Sequence, residues 1–195
     1  MLITKDYLKS LNPCEDRYKH YLQNYKDWQG TLDEFLDLPE LTHDDKRWVF
    51  VRSIDKNKLR FVAADFAERV LHFYENKYPN DNRPRKAIEA ARNNNADAYA
   101  ASCAAYAAAR VAAYDAAASY AADAAYDAAA SYAADAAYDA AASYAADAAD
   151  AASCAAYAAV RAAADDADKH EEQAQIEIMK RYAREALNDL RKGEE

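Results

Sequence analysis

Apolar residues recur at helical intervals through the first ninety-odd positions, and short polar breaks separate the runs. Thr4 is placed to cap a short helix that closes before Pro13. In CEDRYKHYLQNYKDWQG, residues Tyr18, Tyr21, Leu22, Tyr25 and Trp28 fall three or four apart, and Gly30 stands where a C-cap would. TLDEFLDLP opens with Thr31 and Glu34 at capping-box spacing and stops at Pro39. Thr42 then precedes HDDKRWVFVRSI, whose inner face is predicted at Trp48, Val51 and Ile54. The clearest helix runs from about Lys58 to Lys77, with Leu59, Val62, Phe66, Val70, Phe73 and Tyr74 inward. Tyr78-Pro79 ends it. Asn82 is expected to cap the next helix, with Pro84 in the first turn, where a missing N–H does no harm. Asn93 to Asn95 break the pattern. From about Asp168 to Lys192 a last amphipathic helix places Ile176, Met179, Ala183, Leu187 and Leu190 on one face.

Between these parts the pattern changes character. From Tyr114 the unit YDAAASYAADAA begins, and it restarts at Tyr126 and Tyr138. No Gly or Pro occurs from residue 96 to residue 164, and alanine has the highest helix propensity, so helix is expected there. Twelve residues leave roughly 120° over after whole turns, so a straight helix would point each copy in a new direction. No single apolar stripe survives, and a two-stranded coiled coil fits poorly. Two solutions remain: packed hairpins or a solenoid of Ala-rich helices, or one very long helix. A continuous helix would run on the order of 100 Å, more than the short N-terminal helices could cover, so several packed helices are favoured. The expected fold is all-α: an N-terminal bundle of short helices (1–95), an Ala/Tyr/Asp-rich helical repeat region (96–167) and a C-terminal amphipathic helix (168–195).

Charge sharpens this division. Residues 1–95 carry 17 Lys/Arg against 16 Asp/Glu, residues 96–167 carry 2 against 10, and residues 168–195 carry 6 against 8. The acidity therefore belongs to the repeat. A net-acidic chain without a basic stripe argues against direct nucleic-acid binding and against an anionic membrane surface. Asp123/Asp127 and Asp135/Asp139 are like-charge pairs at i,i+4, each costing about 0.2–0.5 kcal/mol in an isolated helix. No Lys or Arg lies between Arg110 and Arg161 to offset them. The aspartates thus accept tyrosine hydroxyls, face a cationic partner, or are drift from repeat expansion in a solvated face. If the face is functional, its residues are Asp115, Tyr120, Asp123, Asp127, Tyr132, Asp135, Asp139, Tyr144 and Asp147.

Candidate chemistry is sparse. His20, His43, His72 and His170 are scattered, and Cys14, Cys103 and Cys154 show no metal-ligand spacing, so no metal, cofactor or catalytic residue is expected. Gly30 and Gly193 are the only glycines, which leaves no phosphate-cradling loop. No apolar leader core and no bilayer-length run are present, and a cytoplasmic location is expected. Asp65, Glu68 and Arg69, with Arg83, Arg85, Glu89 and Arg92, are expected to form a structural ion-pair network. Arg85, Glu89 and Arg92 have the spacing for pairing within one helix. The functional alternative is a small basic patch for a phosphate or an acidic partner.

The stretch ADFAERVLHFYENKYPNDNRPRKAIEAARN, Ala64 to Asn93, resembles the Imm5-like immunity-protein family of bacteria and their phages. The resemblance is carried by Ala67 to Leu71, then Pro79, Asp81, Arg83, Pro84, Arg85 and Ala87 to Arg92, followed by an alanine-rich tract. The tract here is richer in Tyr and Asp than the Arg/Trp-rich pattern of relatives. LNPCEDRYKHY also resembles phage-borne members. The resemblance implies a protein in a bacterial host cell that binds and neutralises a toxin or effector, or in a phage setting a host-defence protein. It brings no catalytic residue set. The competing readings are a structural spacer, a nucleic-acid mimic, a small-ligand sponge with stacking tyrosines, and an ice-binding face. Seven aspartates between Asp115 and Asp150 give about one charge per 8 Å on a straight helix, against one per ~1.7 Å in duplex DNA, too sparse for mimicry unless the tract folds back. The ice-binding reading lacks a regular threonine array. The expected partner is a basic protein, with homo-oligomerisation left open.

Overall fold

The computed structural model describes residues 2–93 and 168–192. The repeat, with its alternatives of packed hairpins, solenoid or one long helix, lies outside the described residues. The protein is all-α. Its described elements are α1 (Lys5–Ser10), α2 (Glu15–Tyr25), α3 (Leu32–Leu36), α4 (His43–Ser53), α5 (Lys56–Lys77), α6 (Arg83–Arg92) and α7 (Asp168–Lys192). Two compact units are formed, one from Met1–Ile54 with Ile176–Glu195 and one from Asp55–Gln175.

In the first unit, local capping chemistry sets the helix starts. Thr4 Oγ1 accepts the Tyr7 N–H at 3.1 Å and opens α1. Asn12, at φ 56°, turns the chain left-handed just before Pro13, a conformation that asparagine tolerates better than most residues. Glu34 reaches back to the Thr31 N–H at 2.7 Å, and Thr42 and Asp45 cap α4 reciprocally. Phe35, Leu36, Phe50 and Ile3 are fully or almost fully buried. Each large side chain so buried contributes about 1.5–3 kcal/mol of apolar transfer.

Three expectations are corrected. Gly30 is no C-cap: α2 ends at Tyr25, and Gly30 instead pairs with Ile3 in an isolated antiparallel bridge. A Cβ at Gly30 would lie 2.7 Å from the Trp28 ring and 2.6 Å from Glu34 Oε2, so close approach rather than a positive φ demands glycine there. The inner face of α4 centres on Val49, Phe50 and Val51 with Ile54 following, and Trp48 is half-buried. On α7, Ile176, Met179 and Ala183 are buried, but Leu187 is only half-buried and Leu190 is 54% exposed. Periodicity extends the apolar face of α7 beyond the packing that covers it.

In the second unit, α5 and α6 pack as a helical hairpin joined through Tyr78–Asn82. α5 buries Leu59, Val62, Phe66, Val70 and Tyr74 as expected, while Phe73 is half-buried. Ala63, Ala64 and Ala67 on α5 and Ala87, Ala90 and Ala91 on α6 are also buried. Small side chains on both helices suit close packing of the two backbones.

Candidate functional site

The α5–α6 hairpin gathers the charged residues singled out in the sequence. Arg92, near the end of α6, reaches Asp65 at 2.6 Å and Glu68 at 2.5 Å on α5. Burial works against its charge, but the two carboxylates outweigh that and raise its pKa. Arg85 holds Glu75 with two bonds, at 2.6 and 2.7 Å. Arg85 and Arg92 thus cross to α5 instead of pairing with Glu89, which is exposed and acts on Arg85 through its charge. Arg69 donates to Glu171 Oε2 at 2.9 Å, and Gln175 donates to the other oxygen of Glu171 at 3.1 Å. Glu171 is buried and 102 residues from Arg69, so no local spacing signals the pair.

The turn before α6 holds the hairpin's tightest cluster. Tyr74, wholly buried, donates its hydroxyl to Asp81 Oδ2 at 2.7 Å. Arg83 donates Nε to Asp81 Oδ1 at 2.8 Å and its backbone N–H to the same oxygen at 3.2 Å. Asn82 stands at the cap position but makes no side-chain cap bond; the Asp81 carboxylate takes that role. The Arg83 guanidinium, helped by the Tyr74 hydroxyl, holds the Asp81 carboxyl far below the usual range despite burial. Burial, then Asp81, pushes the Tyr74 phenol up. Asp81 and Arg83 are both in the motif that carried the resemblance; Tyr74 is not, and only its helical position indicated burial.

These arginines have carboxylate partners in the fold. What the hairpin does chemically is to fix two helices through charge-assisted bonds. Among the described residues, no group of three or more His, Cys, Asp or Glu side chains could hold a metal ion.

The first unit holds a cavity of about 470 Å³. Tyr18, Tyr21, Phe35, Leu41, Trp48 and Val49 give it an apolar wall. Arg17, Thr42, Asp44 and Asp45 also line it. Arg17 and Asp45 form a two-bonded pair, with Nε to Oδ1 at 2.7 Å. Burial opposes the Asp45 charge, but Arg17 and Thr42 lower its pKa. Nothing in the sequence pattern singled out this cavity, because its wall comes from four helices and their connecting loops.

The nine partner-surface residues expected in the repeat, Asp115, Tyr120, Asp123, Asp127, Tyr132, Asp135, Asp139, Tyr144 and Asp147, lie outside the described residues.

The class defined by these features is an all-α protein in which the α5–α6 hairpin is locked by arginine–carboxylate pairs. A family model described as "Imm-5 like putative immunity protein" matches residues 51–184. That is more than half of the 195 residues, and the chain belongs to this family. No curated protein and no solved structure matches the chain. No helix among the described residues is long and apolar enough to cross a membrane.

Proposed function

We propose that this chain is a non-enzymatic binding protein that neutralises a toxin or a host-defence effector. The observation that carries the reading is the family match over residues 51–184. The hairpin geometry supports it: Arg69, Arg83, Arg85 and Arg92 are paired with carboxylates of the chain itself, as suits a scaffold better than a phosphate site. The partner is a basic protein. It meets the acidic, tyrosine-rich face of the repeat, where aspartate complements Lys/Arg and tyrosine offers contact area at low entropy cost. Such a face speeds association and selects the partner more than it adds raw affinity.

A tagged pull-down from host lysate, with and without nuclease treatment, tests the reading. One basic toxin or effector retained after nuclease treatment supports it. A blank from lysate known to contain such effectors refutes it. With the partner in hand, the combined substitution D123N, D127N, D135N and D139N tests the face: binding weakens while helicity persists, and unchanged affinity moves the interface elsewhere.

A further inference from the structure

We infer that the cavity of the first unit is an anchor pocket for a large apolar side chain of the protein partner, separate from the acidic face of the repeat. The inference rests on the reading of this chain as a partner-binding protein, but it concerns a different surface and is tested without the partner. At about 470 Å³ the cavity falls within the range of ligand sites, roughly 300–1,000 Å³. Its wall of Tyr18, Tyr21, Phe35, Trp48 and Val49 is aromatic and aliphatic.

The polar groups of the lining decide the occupant's chemistry. Arg17 is held by Asp45, and Asp44 by Arg47 at 2.8 Å. Thr42 donates its hydroxyl to Asp45 at 2.7 Å. Tyr18 donates to the Lys5 carbonyl at 3.1 Å and Tyr21 to the Trp28 carbonyl at 3.4 Å. Charges and hydroxyls around the cavity are thus engaged within the fold: Arg17 and Asp45 cancel within the lining, and Asp44 is answered by Arg47 beside it. An entering ion would find its counter-charges already taken. An uncharged ring or branched aliphatic group needs none and gains aromatic contact. Complementarity therefore selects a neutral, apolar group. Apolar-walled pockets hold the few anchors that dominate protein interfaces. The lining lies wholly before residue 51, outside the stretch matched by the family model.

The test uses the full chain labelled with 5-fluorotryptophan, whose two signals are assigned with W28F. N-acetyl-tryptophanamide and N-acetyl-leucinamide are titrated as anchor mimics, with N-acetyl-argininamide as the charged control. The Trp48 signal is expected to shift saturably with the two apolar amides and not with the arginine amide. Trp28, which touches the lining through Phe35, moves less. Cys14 is an exposed lining residue with no side-chain cap bond, so C14W narrows the mouth while leaving the buried core alone, and should abolish the shift. A Trp48 signal unmoved up to the solubility limit, or moved equally by the arginine amide, overturns the inference. So does a shift that depends on protein concentration alone, which marks a second copy as occupant. A co-purifying small molecule in the native mass spectrum, lost in C14W, replaces the side chain with an apolar metabolite. Failure of any of these kinds leaves the pull-down result standing, and the two readings fail separately.

Discussion

Replacing Asp81 with alanine removes three interactions at once, and their costs differ. Tyr74 is wholly buried, so its hydroxyl loses the carboxylate that accepts its hydrogen bond. A buried donor left unmet costs about 1–3 kcal/mol. The Arg83 backbone N–H loses the carboxylate that stands in for a cap, worth about 0.5–2 kcal/mol. The Asp81–Arg83 pair is partly solvated and adds about 0–1 kcal/mol. The shared geometry makes these costs overlap, and a total of about 2–4 kcal/mol is expected for D81A. Hydrogen exchange over peptides of α5 and α6 reads this directly, because opening of the hairpin should become roughly 30- to 800-fold easier. Y74F removes the donor together with its need, and should cost less than D81A. In the Y74F background D81A should cost about 1–2 kcal/mol less than in the native chain. D81N keeps an acceptor for Tyr74 and should fall between D81A and the native protein. Exchange in D81A within about 0.5 kcal/mol of native, or strict additivity with Y74F, would refute the assignment of Asp81 as the keystone of the turn.

Acid should act on the same cluster. The Asp81 carboxyl is depressed in the fold, so its contribution is present above the unfolded value, about 3.9, and is lost as pH falls through the folded one; D81N should flatten that acid limb in a pH series of unfolding curves. Burial, then Arg47, pushes His43 down from 6.5 to about 4; the fold therefore favours the neutral ring, and stability present above pH 6.5 declines as pH falls toward 4. H43Q should remove that decline, and an imidazole titrating near 6.5 by proton NMR would contradict it. G30A forces the Trp28 ring or the Glu34 carboxylate to move and should lower stability by about 1–3 kcal/mol, read as a lower melting temperature. R92A leaves Asp65 and Glu68 facing each other without their shared cation and should destabilise the hairpin by about 1–3 kcal/mol, whereas R92K should recover part of the loss.

The sequence disclosed what is decided locally. Thr4, Thr31 with Glu34, and Thr42 each announce a helix start because the bond they make spans three residues. Leu59, Val62, Phe66, Val70 and Tyr74 announce a buried face because a long helix repeats one pattern many times. What depends on distant chain was not legible. Gly30 is required by the close approach of the Trp28 ring and the Glu34 carboxylate, which no turn signal encodes. Arg85 and Arg92 had acceptable partners on their own helix, yet the packing of α6 on α5 offers Glu75, Asp65 and Glu68 instead. Asn82 had the favoured cap chemistry, but Asp81 carries full charge and a buried phenol to hold it in place. Leu190 shows the reverse error, since an apolar position on a periodic face is buried only where something covers it.

One feature of the first unit bears on how the chain is made in a cell. Lys180 binds Asp37 at 2.8 Å and Arg184 binds Asp33 at 3.2 Å, joining positions 143 and 151 residues apart. Residues 1–54 leave the ribosome well before the residues that complete their unit, which begin only at Ile176. At roughly 5–20 residues per second, the intervening stretch delays completion by about 6–24 s. During that interval Asp33 and Asp37 lack their partners on α7. Chains released early would carry an unfinished first unit, prone to capture by proteases and chaperones, so that mainly chains extended through α7 would persist to meet their target.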